Sequence, residues 1–162
     1  MGSAVQLSEL YRFRVAGTPL NLYKRVGESY EHVLMKALGY ALFLPAYPKL
    51  EVERAIGSRY KPDLVALNSG GGVDFWGECG DVGLRKIGWL AKHSGARRIA
   101  FFKIGQNQSG RRHLTALMQR EVEERYRPPG RLTLINFEPT VIDRAIRELD
   151  EVPARWYQSY DI

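Results

Sequence analysis

Residues 59–80 read RYKPDLVALNSGGGVDFWGECG. The run DLVAL at 63–67 is apolar almost throughout and of strand length, the pattern of a central strand buried on both faces. NSGGG at 68–72 supplies residues that reverse a chain, and VDFWGEC at 73–79 returns as a second strand. Each strand carries a carboxylate near one end: Asp63 directly after Pro62, and Glu78 where the chain runs into Cys79 and Gly80. A turn centred near residues 70 and 71 sets Asp63 and Glu78 at matching heights on strands about 5 Å apart. Carboxylates that close repel one another unless a cation or a proton intervenes. Mg²⁺ suits such a pair, because it takes one or two carboxylates, keeps waters and accepts phosphate oxygens. The competing reading is two separate surface acids at strand ends.

Outward from this pair the chain alternates strand and helix patterns. Residues 11–15 and 20–26 read as a hairpin turning at AGTP, 16–19. Residues 29–43 have helical period, with Leu34, Ala37, Leu38, Ala41 and Leu42 on one face, Ser29 as a cap and Pro45 and Pro48 beyond the end. Residues 50–56 alternate as a strand. Residues 84–93 predict a helix, 97–104 a buried strand, 105–110 a loop, 112–126 a helix, 131–137 a strand and 140–150 a last helix, with the tail after it unassigned. This predicts an α/β (α+β) domain spanning 1–162, with a mixed central sheet flanked by helices.

Composition narrows the function classes. With 162 residues, 44% of them hydrophobic and 26% charged, the chain suits one soluble globular domain. It has no apolar run of membrane-spanning length and no signal-peptide pattern at its start, so a cytoplasmic location is expected. The single cysteine, Cys79, forms no intramolecular disulfide, and with His32, His93 and His113 far apart it does not suggest structural zinc. Cys79 lacks an evident nearby base, which argues against nucleophilic catalysis. The glycines of GECGDVG match neither phosphate-binding fingerprint. The net charge of +6 is unevenly spread: from Val82 to Arg120 there is no Asp or Glu, while Arg85, Lys86, Lys92, Arg97, Arg98, Lys103, Arg111, Arg112 and Arg120 all fall there. Such a block predicts either an anionic partner, nucleic acid being the commonest, or a surface that merely aids solubility.

Glu31 adds a third acid. At 100° per residue it falls in the arc of Leu34, Met35, Leu38 and Leu42, so it points towards the strands if this helix packs on the sheet. Its alternative role is to complement the dipole of the first helical turn.

The order of a hairpin, a helix carrying an acid, KPDLVAL, FWGECG and a following helix resembles the YaeQ family, a divergent branch of the PD-(D/E)xK nuclease superfamily. The resemblance spans roughly residues 10–146. It implies a restriction-endonuclease-like α-β-β-β-α-β core preceded by the N-terminal hairpin. It also implies that Asp63 and Glu78 hold Mg²⁺ or Mn²⁺, with Glu31 as the helical acid. The lysine of the motif would fall on Gly80, where it is absent. Some superfamily members are thought to supply that lysine from the next helix, where Lys86 borders the apolar face beside Leu90; Arg85 points further outward, and Lys61 is a weaker substitute.

Two functions follow from the resemblance. In the first, the protein is a metal-dependent nuclease, with Glu31, Asp63, Glu78 and Lys86 catalytic. Arg85, Lys92, Arg97, Arg98, Arg111 and Arg112 then hold the backbone of DNA or RNA. In the second, it is a nucleic-acid-binding or scaffold protein that kept the fold and lost the chemistry, as the glycine at position 80 suggests. In either, the basic block is expected to form one contiguous positive surface opening onto the acidic pair.

Overall fold

A computed structural model describes residues 8–162. The opening hairpin is β1 (Glu9–Val15) and β2 (Thr18–Lys24). Val15 pairs with Thr18, so the turn is only Ala16 and Gly17, both at positive φ. Two such residues match the handedness that a two-residue hairpin loop requires.

Helix α1 (Tyr30–Phe43) follows, capped by Ser29, whose hydroxyl accepts from the His32 amide. Next come β3 (Glu51–Val52), β4 (Leu64–Leu67), β5 (Val73–Cys79), α2 (Leu84–His93), β6 (Arg98–Ile104) and α3 (Gln108–Glu121). The chain ends with β7 (Leu132–Phe137), β8 (Glu148–Leu149) and β9 (Tyr157–Asp161).

These strands form two mixed sheets. The larger has six strands in the order β3-β4-β5-β6-β7-β9. Its first three strands pair antiparallel, β5, β6 and β7 pair parallel, and β9 closes the edge antiparallel. The smaller has the order β2-β1-β8, with β8 parallel to β1.

Side-chain alternation along β5 and β6 builds two cores. Phe75, Cys79, Ala100 and Phe102 face α1, whose far side packs on Phe13, Val15 and Leu22 of the small sheet. Trp76, Ile99 and Phe101 face α2 and α3 through Ile87, Leu90 and Met118. Helix α1 therefore lies between two sheets, and Val33 and Met35 are buried as well as Leu34 and Leu38. This is why the helix is apolar beyond the single face that its periodicity marks.

Three sequence expectations change. The strand over 50–56 shortens to Glu51–Val52, because Glu53 adopts φ 55° and turns the chain off the sheet. The helix expected at 112–126 begins at Gln108, inside the expected loop, capped by the Asn107 side chain, and stops at Glu121. The expected helix at 140–150 is a 3₁₀ segment, Pro139–Arg144, ended by Ala145 at φ 49°, followed by β8 on the edge of β1. Val141, Ile146 and Leu149 are buried here on the 3₁₀ segment and along the β8 segment, rather than on one face of a helix. The unassigned tail is the edge strand β9, paired to β7.

Gly39 fixes how closely α1 approaches the large sheet. A Cβ there would stand 2.9 Å from Phe102 Cζ and 3.0 Å from Leu64 Cδ1. We predict that Gly39→Ala lowers stability by about 1–2 kcal/mol in urea denaturation, because overpacking of about 1–3 kcal/mol outweighs the better helix propensity of alanine. A stabilised variant would contradict this packing.

Candidate active site

Backbone pairing at the end of β4 holds Asp63 from both sides. Its amide donates to Gly77 O at 3.1 Å, and its carbonyl accepts from Glu53 N at 2.9 Å. Its side chain then crosses to β5, where Oδ2 accepts from the Cys79 amide at 2.8 Å. Leu64 is opposite Gly77, so Asp63 and Glu78 are the next pair along the ladder and share a face.

Glu78 is 3% exposed. Oε1 accepts from Trp76 Nε1 at 2.8 Å, and Oε2 accepts from Lys86 Nζ at 3.0 Å. Lys86 comes from the first turn of α2 and also lies over the Tyr60 ring, 5.0 Å from its centroid. The helix following the motif strand thus brings an amine to the acidic pair.

Helix α1 contributes His32. Its Nδ1 is 2.9 Å from Glu28 Oε2, and its Nε2 stands 3.6 Å from Asp63 Oδ2, an ion-pair separation. Glu28 also accepts from Lys36 Nζ at 2.7 Å. Lys36 is 2% exposed and pairs with Glu53 as well, so a buried amine joins α1, the segment before it and the turn that leaves β3. Sequence reasoning singled out neither His32 nor Lys36. A signal for Lys36 was present, since a lysine inside an apolar helical stretch requires acidic partners.

These neighbours move the two carboxyls in opposite directions. Burial alone would raise Asp63, but His32 and the Cys79 amide outweigh it and hold the carboxyl below its usual value. Burial, and then the charge of Asp63, push Glu78 up against the pull of Trp76 and Lys86. Burial would lower Lys36, but Glu28 and Glu53 hold its ammonium up. Burial also drives the Cys79 thiol well up, which disfavours the reactive thiolate.

Not every expected residue joins this cluster. Glu31 makes no hydrogen bond or ion pair among the described residues; Glu28, just before the helix, is the acid that does. Lys61 is exposed. Gly80 has φ 83° and donates its amide to Phe102 O at 3.0 Å. A lysine would be strained in that conformation, and its Cβ would enter space 3.8 Å from His32 Cδ2.

The basic block is divided, contrary to the expected single surface. Arg85, Arg111 and Arg112 sit on the first two turns of α2 and α3, which begin at the same sheet end as Cys79 and Phe102. Arg98 pairs with Phe75 at the other end of β6, about 13 Å away along the strand. Its guanidinium lies 4.8 Å from the Phe43 ring centroid, and neighbouring Arg97 faces Asp74 at 3.6 Å. Lys92 is in the last turn of α2, also away from the pair. Sequence adjacency merged these groups because each helix and strand carries the chain from one sheet end to the other.

The donor set bears on a divalent cation. Among the described residues no group of three His, Cys, Asp or Glu side chains is placed to hold a metal. Asp63 Oδ1 carries no protein hydrogen bond among the described residues, whereas each Glu78 oxygen accepts one. Asp63 disfavours the charged form of Glu78, second to burial. That fits a hard cation held by two carboxylate oxygens and otherwise by water.

No family model matches the chain, and no curated protein does. Solved structures of two YaeQ proteins share its fold. The YaeQ protein from Xanthomonas axonopodis pv. citri is 19% identical, with a TM-score of 0.59 over 89% of this chain and 82% of that one. The YaeQ protein from Pseudomonas syringae is 13% identical, with a TM-score of 0.65 over 95% of this chain and 89% of that one. At these identities the likeness is one of fold. Among the described residues no helix is long and apolar enough to cross a membrane.

His32 gives a direct readout of the site. Asp63 is the main cause that raises its imidazole above the usual value, against the opposing effect of burial. We predict that NMR titration in EDTA finds His32 titrating above about 6.5, and that Asp63→Asn brings it down. By linkage, the His32–Asp63 contribution to stability is full below the ordinary imidazole pKa and is lost as pH rises through the folded value. A titration unmoved by Asp63→Asn would contradict the contact.

Proposed function

We propose that this chain is a YaeQ-family member and a divergent PD-(D/E)xK metal-dependent nuclease, hydrolysing phosphodiester bonds of nucleic acid at Asp63 and Glu78. One observation carries the reading: two carboxylates meet across β4 and β5 with the Lys86 amine 3.0 Å from one of them. A pure phosphate binder gains nothing from carboxylates aimed at its ligand. A core ion pair would not leave its lysine a quarter exposed, as Lys86 is.

Asp63 and Glu78 would hold Mg²⁺ or Mn²⁺. When bound, the ion would lower the pKa of a coordinated water and offset charge on the phosphodiester. Lys86 supplies from α2 the positive charge that the superfamily motif places two residues after the glutamate. In hydrolysis a water oxygen bonds to phosphorus and gives up a proton, the P–O ester bond breaks, and the leaving oxygen takes a proton, so that overall one proton passes from the water to the leaving oxygen. Lys86 and His32 are the proton-bearing side chains beside the carboxylates, His32 through Nδ1 towards Glu28 and Nε2 towards Asp63. Arg85 and Arg112, exposed at the same sheet end, attract the backbone without reading sequence. Cytoplasmic DNA or RNA is the substrate class.

We predict that purified protein cleaves at least one of single- or double-stranded DNA or RNA with Mg²⁺ or Mn²⁺, and that Asp63→Asn and Glu78→Gln each abolish cleavage. Their affinity for nucleic acid in EDTA should hold or rise slightly, since an acid facing phosphate has been neutralised. Lys86→Ala should lower kcat more than affinity if the amine acts in the transition state. Wild-type protein that binds but cleaves none of the four substrates would leave the non-catalytic binding role in place of this one.

A further inference from the structure

The edge of the large sheet farthest from β3 carries a polar cavity that does not include the acidic pair. It has a volume of about 240 Å³ and is lined by Gln106, Gln108, Arg111, Gln158 and Tyr160. No carboxylate is among these residues. The Arg111 guanidinium lies 4.0 Å from the Tyr160 ring centroid, and it makes no ion pair among the described residues. Tyr160 in turn donates its hydroxyl to Gln158 Oε1, and the Gln158 side-chain amide donates to no protein group among the described residues.

The cavity wall is held from behind. Asn136, 9% exposed, accepts from the Gln106 amide at 3.1 Å and donates to the Gln106 carbonyl at 2.9 Å. Both backbone polar groups of Gln106 are thereby clamped to β7. A planar guanidinium fixed on an aromatic ring, without an acid to neutralise it and beside amides, is a pre-organised fork for an oxyanion. The volume lies below the range of about 300–1,000 Å³ usual for drug-sized ligands, which suits a phosphate group rather than a whole cofactor.

Register places this cavity relative to the acidic pair. Glu78 pairs with Phe101, Phe101 with Leu134, and Leu134 with Tyr160. Glu78 and Tyr160 therefore lie in one row on one face of the sheet, three strand spacings or about 14 Å apart. Phe101 and Leu134 are buried beneath α2 and α3, so the open path between the two places is the sheet end where those helices begin. We propose that the Gln106–Arg111–Tyr160 cavity is a phosphate subsite for a nucleic-acid strand crossing that sheet end, engaging a phosphate a few nucleotides from the one at Asp63 and Glu78. This deepens the nuclease reading and rests on it for the direction of the strand.

The test measures binding, not cleavage, so that the two readings can fail separately. Affinity for a fluorescein-labelled oligodeoxythymidine of about sixteen nucleotides, the upper site size for one single-strand-binding domain, is measured by anisotropy in EDTA over a range of salt. Arg111→Ala should weaken binding on the order of tenfold, the scale of a charge-assisted hydrogen bond. It should also reduce the slope of log K against log salt by about 0.7, one single-strand phosphate. Arg125→Ala, an exposed arginine on the segment before β7 at the other sheet end, should change neither. Arg111→Lys keeps the charge and the slope but not the stacked fork, so it should recover only part of the affinity. If Arg111→Ala melts well below wild type, Arg111→Lys decides the matter alone.

Equal losses in Arg111→Ala and Arg125→Ala, no loss in Arg111→Ala, or no binding by wild type would each overturn the proposal. So would inorganic phosphate that shifts the Gln106 and Gln158 amide signals in wild type but not in Arg111→Ala, if oligonucleotide leaves them unmoved, since the cavity would then serve free phosphate. Absence of cleavage with Mn²⁺ would bear on the acidic pair and not on this subsite.

Discussion

The site depends on one short length of antiparallel ladder. Asp63 donates its amide to Gly77 O, while its carbonyl accepts from the Glu53 amide and its carboxylate from the Cys79 amide, so backbone and side chain are fixed by three partners at once. The carboxylate takes the place of a backbone acceptor where β4 ends. This aims Asp63 along β5 and sets it beside Glu78, although two acids at that distance repel. Burial first, and then the charge of Asp63, raise the Glu78 carboxyl. Everything else at this sheet end either relieves that charge, as Lys86 and His32 do, or holds the ladder in place.

Lys36 belongs to the second group. It is enclosed between α1 and the sheet and joins Glu28 to Glu53, the residue whose amide caps the Asp63 carbonyl. A buried ammonium with two carboxylates is weak evidence for stability, because desolvation consumes most of the Coulomb gain. Its geometric consequence is clearer. Glu53 sits at positive φ and ends β3 there, and its side chain is tied back to α1. The distance between α1 and the end of β4 is therefore set by a charged link as well as by the close approach at Gly39. That distance decides whether His32 reaches Asp63.

Much of this is legible in the sequence, for identifiable reasons. The strand Val73–Cys79 and the helix Leu84–His93 are bounded by glycines and carry clear periodicity, so their limits read directly. Asp63 and Glu78 are legible as a pair because a turn fixes register between adjacent strands. Lys86 is legible from a helical wheel once α2 is known to follow β5. His32 is not, because its position depends on how α1 lies over the sheet, which no local pattern encodes. Gly80 reads as a missing lysine, but its positive φ is a property of the turn and shows why a side chain there is disfavoured. The 3₁₀ segment and β8 are illegible because Val141, Ile146 and Leu149 satisfy helical spacing while an unpaired edge of β1 competes for their backbone. The basic block misleads for a related reason: charges adjacent in sequence lie at opposite ends of β6 and α2.

The central claim is that the Asp63–Glu78 pair is a cation site and not a structural ion pair completed by Lys86 and His32. Crystals soaked in Mn²⁺ test this most directly through anomalous scattering. The account predicts a peak within about 2.0–2.3 Å of a carboxylate oxygen of both Asp63 and Glu78, as hard-cation coordination requires, and its loss in crystals of Asp63→Asn. A fully occupied soak with no anomalous peak between the two carboxylates, and with Lys86 still seated on Glu78, would contradict it.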